Sequence, residues 1–120
     1  MSPVLSRRVV ALAIAGALAM GACTGSAPDV PLGPDGVPDG VLSVGRQVWG
    51  SSCAGCHGSN GQGGRGKKLN DGAVFDLHPE IDTMIAVIDA GQGRGMPSFS
   101  EQLEPSEIEA VARYVREVLN

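Results

Sequence analysis

The most reactive side chains of this sequence fall within five residues, Cys53-Ala54-Gly55-Cys56-His57. Two thiols three apart at the end of a helical turn lie where both sulfurs can add to the two vinyl groups on one edge of a haem. A histidine directly after the second cysteine is then delivered under the iron as an axial ligand. C-x-x-C-H is the spacing of covalent haem attachment. Two other chemistries use a C-x-x-C pair. A thioredoxin-like couple expects a βαβ setting, and no segment here shows the period-two alternation of a strand. A structural zinc wants four ligands, which Cys53, Cys56, His57 and His78 would just supply. Haem is the preferred reading, because a histidine directly after the second cysteine completes the attachment spacing.

A haem iron bound by His57 needs a sixth ligand or an open face. Met96 fits the first requirement. It lies in the Gly-rich run Gly91-Gln92-Gly93-Arg94-Gly95-Met96-Pro97, outside any periodic apolar stripe. Glycines there let backbone approach a flat ring closely. Met84 belongs to a helical apolar face and reads as core. His78, just before Pro79, is the rival ligand. Histidine and methionine on opposite faces raise the potential relative to two histidines. Both oxidation states keep these ligands, so little rearranges on electron transfer. Arg65, Gln92 and Arg94 are candidate partners of the haem propionates. A further pattern, Gly61 to Lys67, has phosphate-loop spacing. Lys68 stands where Ser or Thr should hold magnesium and no strand precedes it, so it is a chance match.

Three helices are expected to position these groups. The first runs from about Val41 to Ser52, with Gly45 and Trp49 on one face beside Val41, Val44 and Val48. The second runs from about Glu80 to Ala90, with Ile81, Met84, Ile85 and Ile88 at helical spacing and Gly91 as the stop. The third runs from about Pro105 to Leu119, with Ile108, Val111, Ala112, Val115 and Leu119 as its stripe. Pro105 suits a first helical position, although the capping-box spacing of Ser106 and Glu109 would start it one residue later. Half of residues 55–66 are glycine. The fold class is all-α with long loops.

Composition supports a non-protein centre. The 120 residues include 18 glycines but only four aromatic side chains, Trp49, Phe75, Phe99 and Tyr114. Glycine is costly to order and offers nothing to bury. A domain of about 80 residues generally needs a staple, and an apolar haem would serve. The formal net charge is −4. Removing Arg7 and Arg8 with the N-terminal segment leaves 7 basic and 13 acidic side chains, a net −6. That balance excludes a nucleic-acid partner. The basic cluster Arg65, Lys67, Lys68 is either a solvated loop or a docking patch for a redox protein.

The N-terminus sets the compartment. Arg7-Arg8 precedes an uncharged apolar run from Val9 to Ala22, too short to span a bilayer, which needs roughly 20 such residues. Residues 1–22 therefore read as a secretory signal peptide. Met20-Gly21-Ala22-Cys23 resembles a bacterial lipobox, with Met20 where an aliphatic residue is usual. The resemblance implies that Cys23 becomes the lipidated N-terminus, the alternative being ordinary cleavage to a soluble product. Residues 23–40 then form a flexible linker, with four prolines and no periodicity. Residues 41–120 are the folded domain. The expected location is the cell membrane, lipid-anchored and facing the periplasm or extracytoplasmic space.

Over about residues 41–119 the chain resembles the class I cytochromes c of bacteria. Gly45 and Trp49, then Cys53, Cys56 and His57, then Met96-Pro97, then Tyr114 follow the family's order. The resemblance implies a small cytochrome c fold, three main helices with long Gly-rich loops wrapped around one covalent haem c. It also implies that the first and last helices cross, Gly45 and Trp49 meeting Val111 and Tyr114. The family's Gly-Pro-x-Leu is here Gly66-Lys67-Lys68-Leu69. The carbonyl at position 67 would accept the proximal histidine's ring N–H, without the rigidity of proline. The expected function is a membrane-tethered, monomeric single-electron carrier, not an enzyme. It would work between a quinol-oxidising complex and a terminal reductase or oxidase. The alternatives are a haem subunit of a larger oxidoreductase and a small open-face haem peroxidase with His78 as its acid–base residue.

Overall fold

The protein's structure, a computed structural model, describes residues 25–120. The expected signal peptide and Cys23 lie outside the described residues. Five α-helices and one π-helical turn follow along the chain: α1 (Gly40–Val48), the π turn (Trp49–Cys53), α2 (Ala54–His57), α3 (Ala73–Leu77), α4 (Ile81–Ala90) and α5 (Pro105–Glu117). Among the described residues there is no strand, only isolated bridges at Leu32–Pro38 and Gln92–Met96. The all-α expectation holds.

Helix α1 begins where Asp39 caps it. The Asp39 carboxylate accepts from the N–H of Val41 at 2.8 Å and of Leu42 at 3.0 Å, satisfying donors that the first turn leaves open. The winding does not stop at Ser52 as expected. It widens to π at Trp49, where the Ala54 N–H reaches back to the Trp49 carbonyl, and returns to α for Ala54–His57. The extra residue in that turn rotates the cysteines relative to the face that buries Trp49. Gly58, at φ 83°, ends the helix in a conformation that suits glycine.

Helices α1 and α5 cross as the resemblance implied, with one adjustment. A Cβ on Gly45 would meet the carbonyl carbon of Ala110 and the Cβ of Tyr114, each at 2.7 Å. The backbone of Ala110, rather than the side chain of Val111, therefore lies over the glycine. Only a residue without a side chain admits a neighbouring main chain so closely. Trp49 and Tyr114 fill the angle beside the crossing, ring centres 6.4 Å apart. Both are essentially inaccessible, as are Ile108, Val111 and Val115 of α5. Met84 and Ile88 of α4 are buried in the same core, so the core reading of Met84 stands.

Helix α5 starts at Pro105, and its capping box uses Glu104 and Glu107 rather than Ser106 and Glu109. Glu107 accepts the Glu104 N–H at 2.9 Å. The helix ends at Glu117, two residues before the buried Leu119. Helix α3 was not expected. Its five residues are too few for periodicity to register, and its single buried side chain, Val74, holds it to the core.

The linker expected over residues 23–40 takes a different form in its described part. Ala27 and Val30 pack against the core. The main-chain carbonyls of Ala27 and Pro28 accept from Arg46, each at 2.9 Å. A segment with little apolar mass of its own is held because the folded helices supply donors to its backbone.

Candidate functional site

The π turn and α2 carry Cys53, Cys56 and His57 as one continuous helical segment. Cys53 and Cys56 are not joined to each other as a disulfide. Cys53 packs against the core. Burial, and the neighbouring Cys56 next, push its thiol pKa up to about 12. Cys53 thus faces a largely apolar setting. Cys56 is half-buried, with Arg65 Nη2 at 3.5 Å from its sulfur.

The glycine-rich loop folds back onto this segment. The Gly66 N–H donates to the Cys56 carbonyl at 2.8 Å and the Gly63 N–H to the His57 carbonyl at 2.7 Å. Gly64 donates to the Gly66 carbonyl at 3.0 Å. The phosphate-loop pattern is thereby disposed of, because these amides are spent within the loop and on the motif helix.

The loop also orients the histidine. His57 Nδ1 lies 2.8 Å from the Lys67 carbonyl oxygen. A carbonyl only accepts, so Nδ1 carries the proton and Nε2 keeps its lone pair for a metal. This is the bond that the resemblance implied for position 67. The backbone must pass close to the ring to make it: a Cβ on Gly66 would stand 2.7 Å from His57 Nδ1 and Cε1. Trp49 lies 6.1 Å from the His57 ring, centre to centre. The Trp49 indole N–H donates to the Ser59 carbonyl at 2.9 Å, pinning the chain just after the motif.

Met96 sits on a tight loop between α4 and α5. The Gln92 N–H donates to the Met96 carbonyl at 2.8 Å, and the Met96 N–H returns a bond to Gln92 at 3.3 Å. Gly91, at φ 75°, closes this loop, and a Cβ there would lie 2.6 Å from the Ser98 nitrogen. The Met96 side chain is half-buried and packs against the same core as Cys53.

His78 stands at the end of α3, its carbonyl accepting from Arg116 Nη1 at 2.7 Å. Burial first, then the nearby Lys67 and Arg116 cations, depress its pKa. The four-ligand zinc set is not assembled: among the described residues no three His, Cys, Asp or Glu side chains are grouped to hold a metal ion.

The donor set fits a haem. It comprises two cysteines three residues apart on one helical segment and not joined to each other, one imidazole whose ring is fixed through Nδ1, and a thioether on a separate loop. Sequence reasoning missed Ser59, whose main-chain carbonyl anchors Trp49 and carries no signal in the sequence pattern, and it singled out Arg65 without placing it beside the Cys56 sulfur.

The chain is similar to several known proteins. Residues 40–115 match the family described as cytochrome c oxidase, cbb3-type, subunit III. The chain is 34% identical over 74 residues to the cbb3-type cytochrome c oxidase subunit FixP of Azorhizobium caulinodans, covering 59% of this chain and 25% of that protein. It is 33% identical over 82 residues to the chloroplastic cytochrome c6 of Chlamydomonas reinhardtii, covering 62% of this chain and 52% of that protein. The chain thus spans a quarter to a half of these relatives' lengths. Among solved structures, cytochrome cL of Methylophaga aminisulfidivorans superposes with a TM-score of 0.60 at 25% identity, covering 67% of this chain and 54% of that one. Cytochrome c6C of Synechococcus sp. PCC 7002 gives 0.51 at 31% identity, covering 60% and 89%. With more than half of its residues inside the family match and its helices arranged as in small cytochromes, the chain belongs to the cytochrome c oxidase, cbb3-type, subunit III family and is a c-type cytochrome with one covalent haem c.

Proposed function

We propose that the protein is a single-electron carrier in which Cys53 and Cys56 hold the haem through thioether bonds, with His57 and Met96 as axial ligands. When bound, the haem supplies reversible one-electron exchange between ferric and ferrous iron. The chain's residues do the rest. Lys67 and Gly66 fix the tautomer and tilt of the His57 ring. Cys53 on the core side joins the motif to the packed helices. The Gln92–Met96 turn holds the thioether on a loop that the core supports. The observation that carries the reading is the His57–Lys67 bond, because it leaves Nε2 of the ring available for iron on the same helical segment as Cys53 and Cys56.

Lipidation at Cys23 would tether the domain to the extracytoplasmic face of a membrane, between a quinol-oxidising complex and a terminal oxidase or reductase. No helix among the described residues is long and apolar enough to cross a membrane, and the proposed tether is the lipid on Cys23. A second reading, a fixed haem subunit of a larger oxidase, is favoured by the family description and by FixP, which is itself named as an oxidase subunit.

A pyridine haemochrome spectrum together with the intact mass of the mature protein tests the attachment and the lipid. One covalent haem and a lipidated mass are expected. A compact, colourless protein with both thiols free, made in a host competent for cytochrome maturation, would refute the reading. Met96→Ala should abolish the weak absorption band at the red edge of the ferric spectrum and let cyanide bind without a slow step. A wild-type ferric protein that already binds cyanide at once would rule out Met96 as ligand.

A further inference from the structure

Tyr114 is fully buried, and its hydroxyl donates to the Pro28 carbonyl at 2.6 Å. Its partner is therefore backbone from the very segment whose composition suggested a leash. Arg46 adds to the same point. Its Nε donates to Pro28 O and its Nη2 to Ala27 O, each at 2.9 Å, and Nη2 pairs with Asp29 at 2.7 Å. Further along, the Gly33 N–H donates to the Val37 carbonyl at 2.8 Å, closing a small turn. Asp39 then caps α1 and pairs with Arg113 at 3.5 Å. The segment is tied to α1 and α5 at both ends of this stretch. Lifting it would strand the Tyr114 hydroxyl without an acceptor, which burial makes expensive. At its beginning, a Cβ on Gly25 would stand 3.8 Å from the Ser59 Cβ.

We infer that residues 25–39 are a fixed strap and that the anchor at Cys23 holds the Ser59 side of the domain against the lipid headgroups. The membrane half of this inference rests on the lipidation proposed above. From Cys23 to the first tied residue, Ala27, is four residues, a reach of at most ~14 Å. A free segment from Cys23 to Gly40 would reach ~60 Å when extended. The domain therefore stays within a short reach of its anchor and does not swing far from the lipid surface. Ser59 is two residues beyond His57, so the segment that carries the axial histidine is the one kept beside the bilayer. The electron partner that fits is a membrane-embedded protein whose redox centre lies near the lipid surface.

The strap is tested with the matured, haem-loaded protein carrying Gly25→Cys and Ser59→Cys. The 3.8 Å separation lies at the mean Cβ–Cβ distance of natural disulfides, so the two thiols should oxidise to one bond, read as the loss of two hydrogens in the intact mass. The orientation is tested on phosphatidylethanolamine–phosphatidylglycerol vesicles carrying a headgroup dye that the haem quenches. Wild type and the disulfide-locked protein should quench alike. The double variant Tyr114→Phe, Arg46→Gln should quench about twofold less, because a freed segment spreads over roughly 20 Å. Free thiols in a lipidated, folded protein overturn the strap. A mature protein of unlipidated mass overturns the anchor and the membrane orientation, while the disulfide still decides the strap. Equal quenching by the double variant, with its haem and helical content intact, overturns the short reach.

Discussion

Replacing Gly45 by Ala perturbs the α1–α5 crossing directly. The added Cβ would stand 2.7 Å from the Ala110 carbonyl carbon and from the Tyr114 Cβ, and would press on the Ala110 carbonyl oxygen as well. Ordinary contact begins near 3.4 Å. Two of the three obstacles are main chain and the third is the first atom of a fully buried tyrosine, so no rotamer relieves them. The helices must separate, and the packing of Trp49 on Tyr114 opens with them. Overpacking of this kind costs about 3 kcal/mol at the upper end of its usual range. Alanine returns roughly 1 kcal/mol through its helix propensity. The net destabilisation of about 2 kcal/mol should lower the melting temperature of the haem-loaded protein by about 8–16 °C. Melting followed in parallel by helical circular dichroism and Soret absorption measures it. Gly50→Ala is the control, since a Cβ there meets nothing within 4 Å. If Gly45→Ala melts at or above wild type, the close crossing is not what holds these helices together.

The remaining predictions concern the histidine, the core and the cap. Gly66→Ala should push the His57 ring off the Lys67 carbonyl, giving a ferric spectrum with a larger high-spin fraction; an unchanged spectrum would show that the loop has room. Lys67→Pro should keep that bond and raise stability by about 0.4–1 kcal/mol in a denaturant titration, because the Lys67 N–H donates to no main-chain acceptor among the described residues. Met84→Ala should cost about 2–5 kcal/mol while leaving the red-edge band intact, separating the core methionine from the proposed ligand. Asp39 has a carboxyl pKa lowered below 3.8, chiefly by the Leu42 N–H, against a smaller opposing effect of burial. Its contribution is present above the unfolded-state pKa and lost as pH falls through the folded one. Asp39→Asn should therefore lose less stability than wild type between neutral pH and pH values below about 4, compared by thermal melts.

The attachment motif, the three longer helices and the buried face of α4 were legible in the sequence because each rests on local spacing. A helix repeats every few residues, and C-x-x-C-H acts within little more than one turn. The acceptor for His57 was legible only through family resemblance. The bond runs from residue 57 to the carbonyl of residue 67, and no side-chain pattern marks a carbonyl. Tertiary structure alone decided three further features: the π turn at Trp49, the backbone of Ala110 lying over Gly45, and the docking of residues 27–30. The last shows the reason most directly. The composition of 24–40 shows a segment with little apolar mass of its own, of which Ala27 and Val30 pack on the core. What holds it is the buried Tyr114 hydroxyl and the Arg46 guanidinium, which find their acceptors only after α1 and α5 have crossed. Sequence determines which groups need partners; the packed chain determines where the partners are.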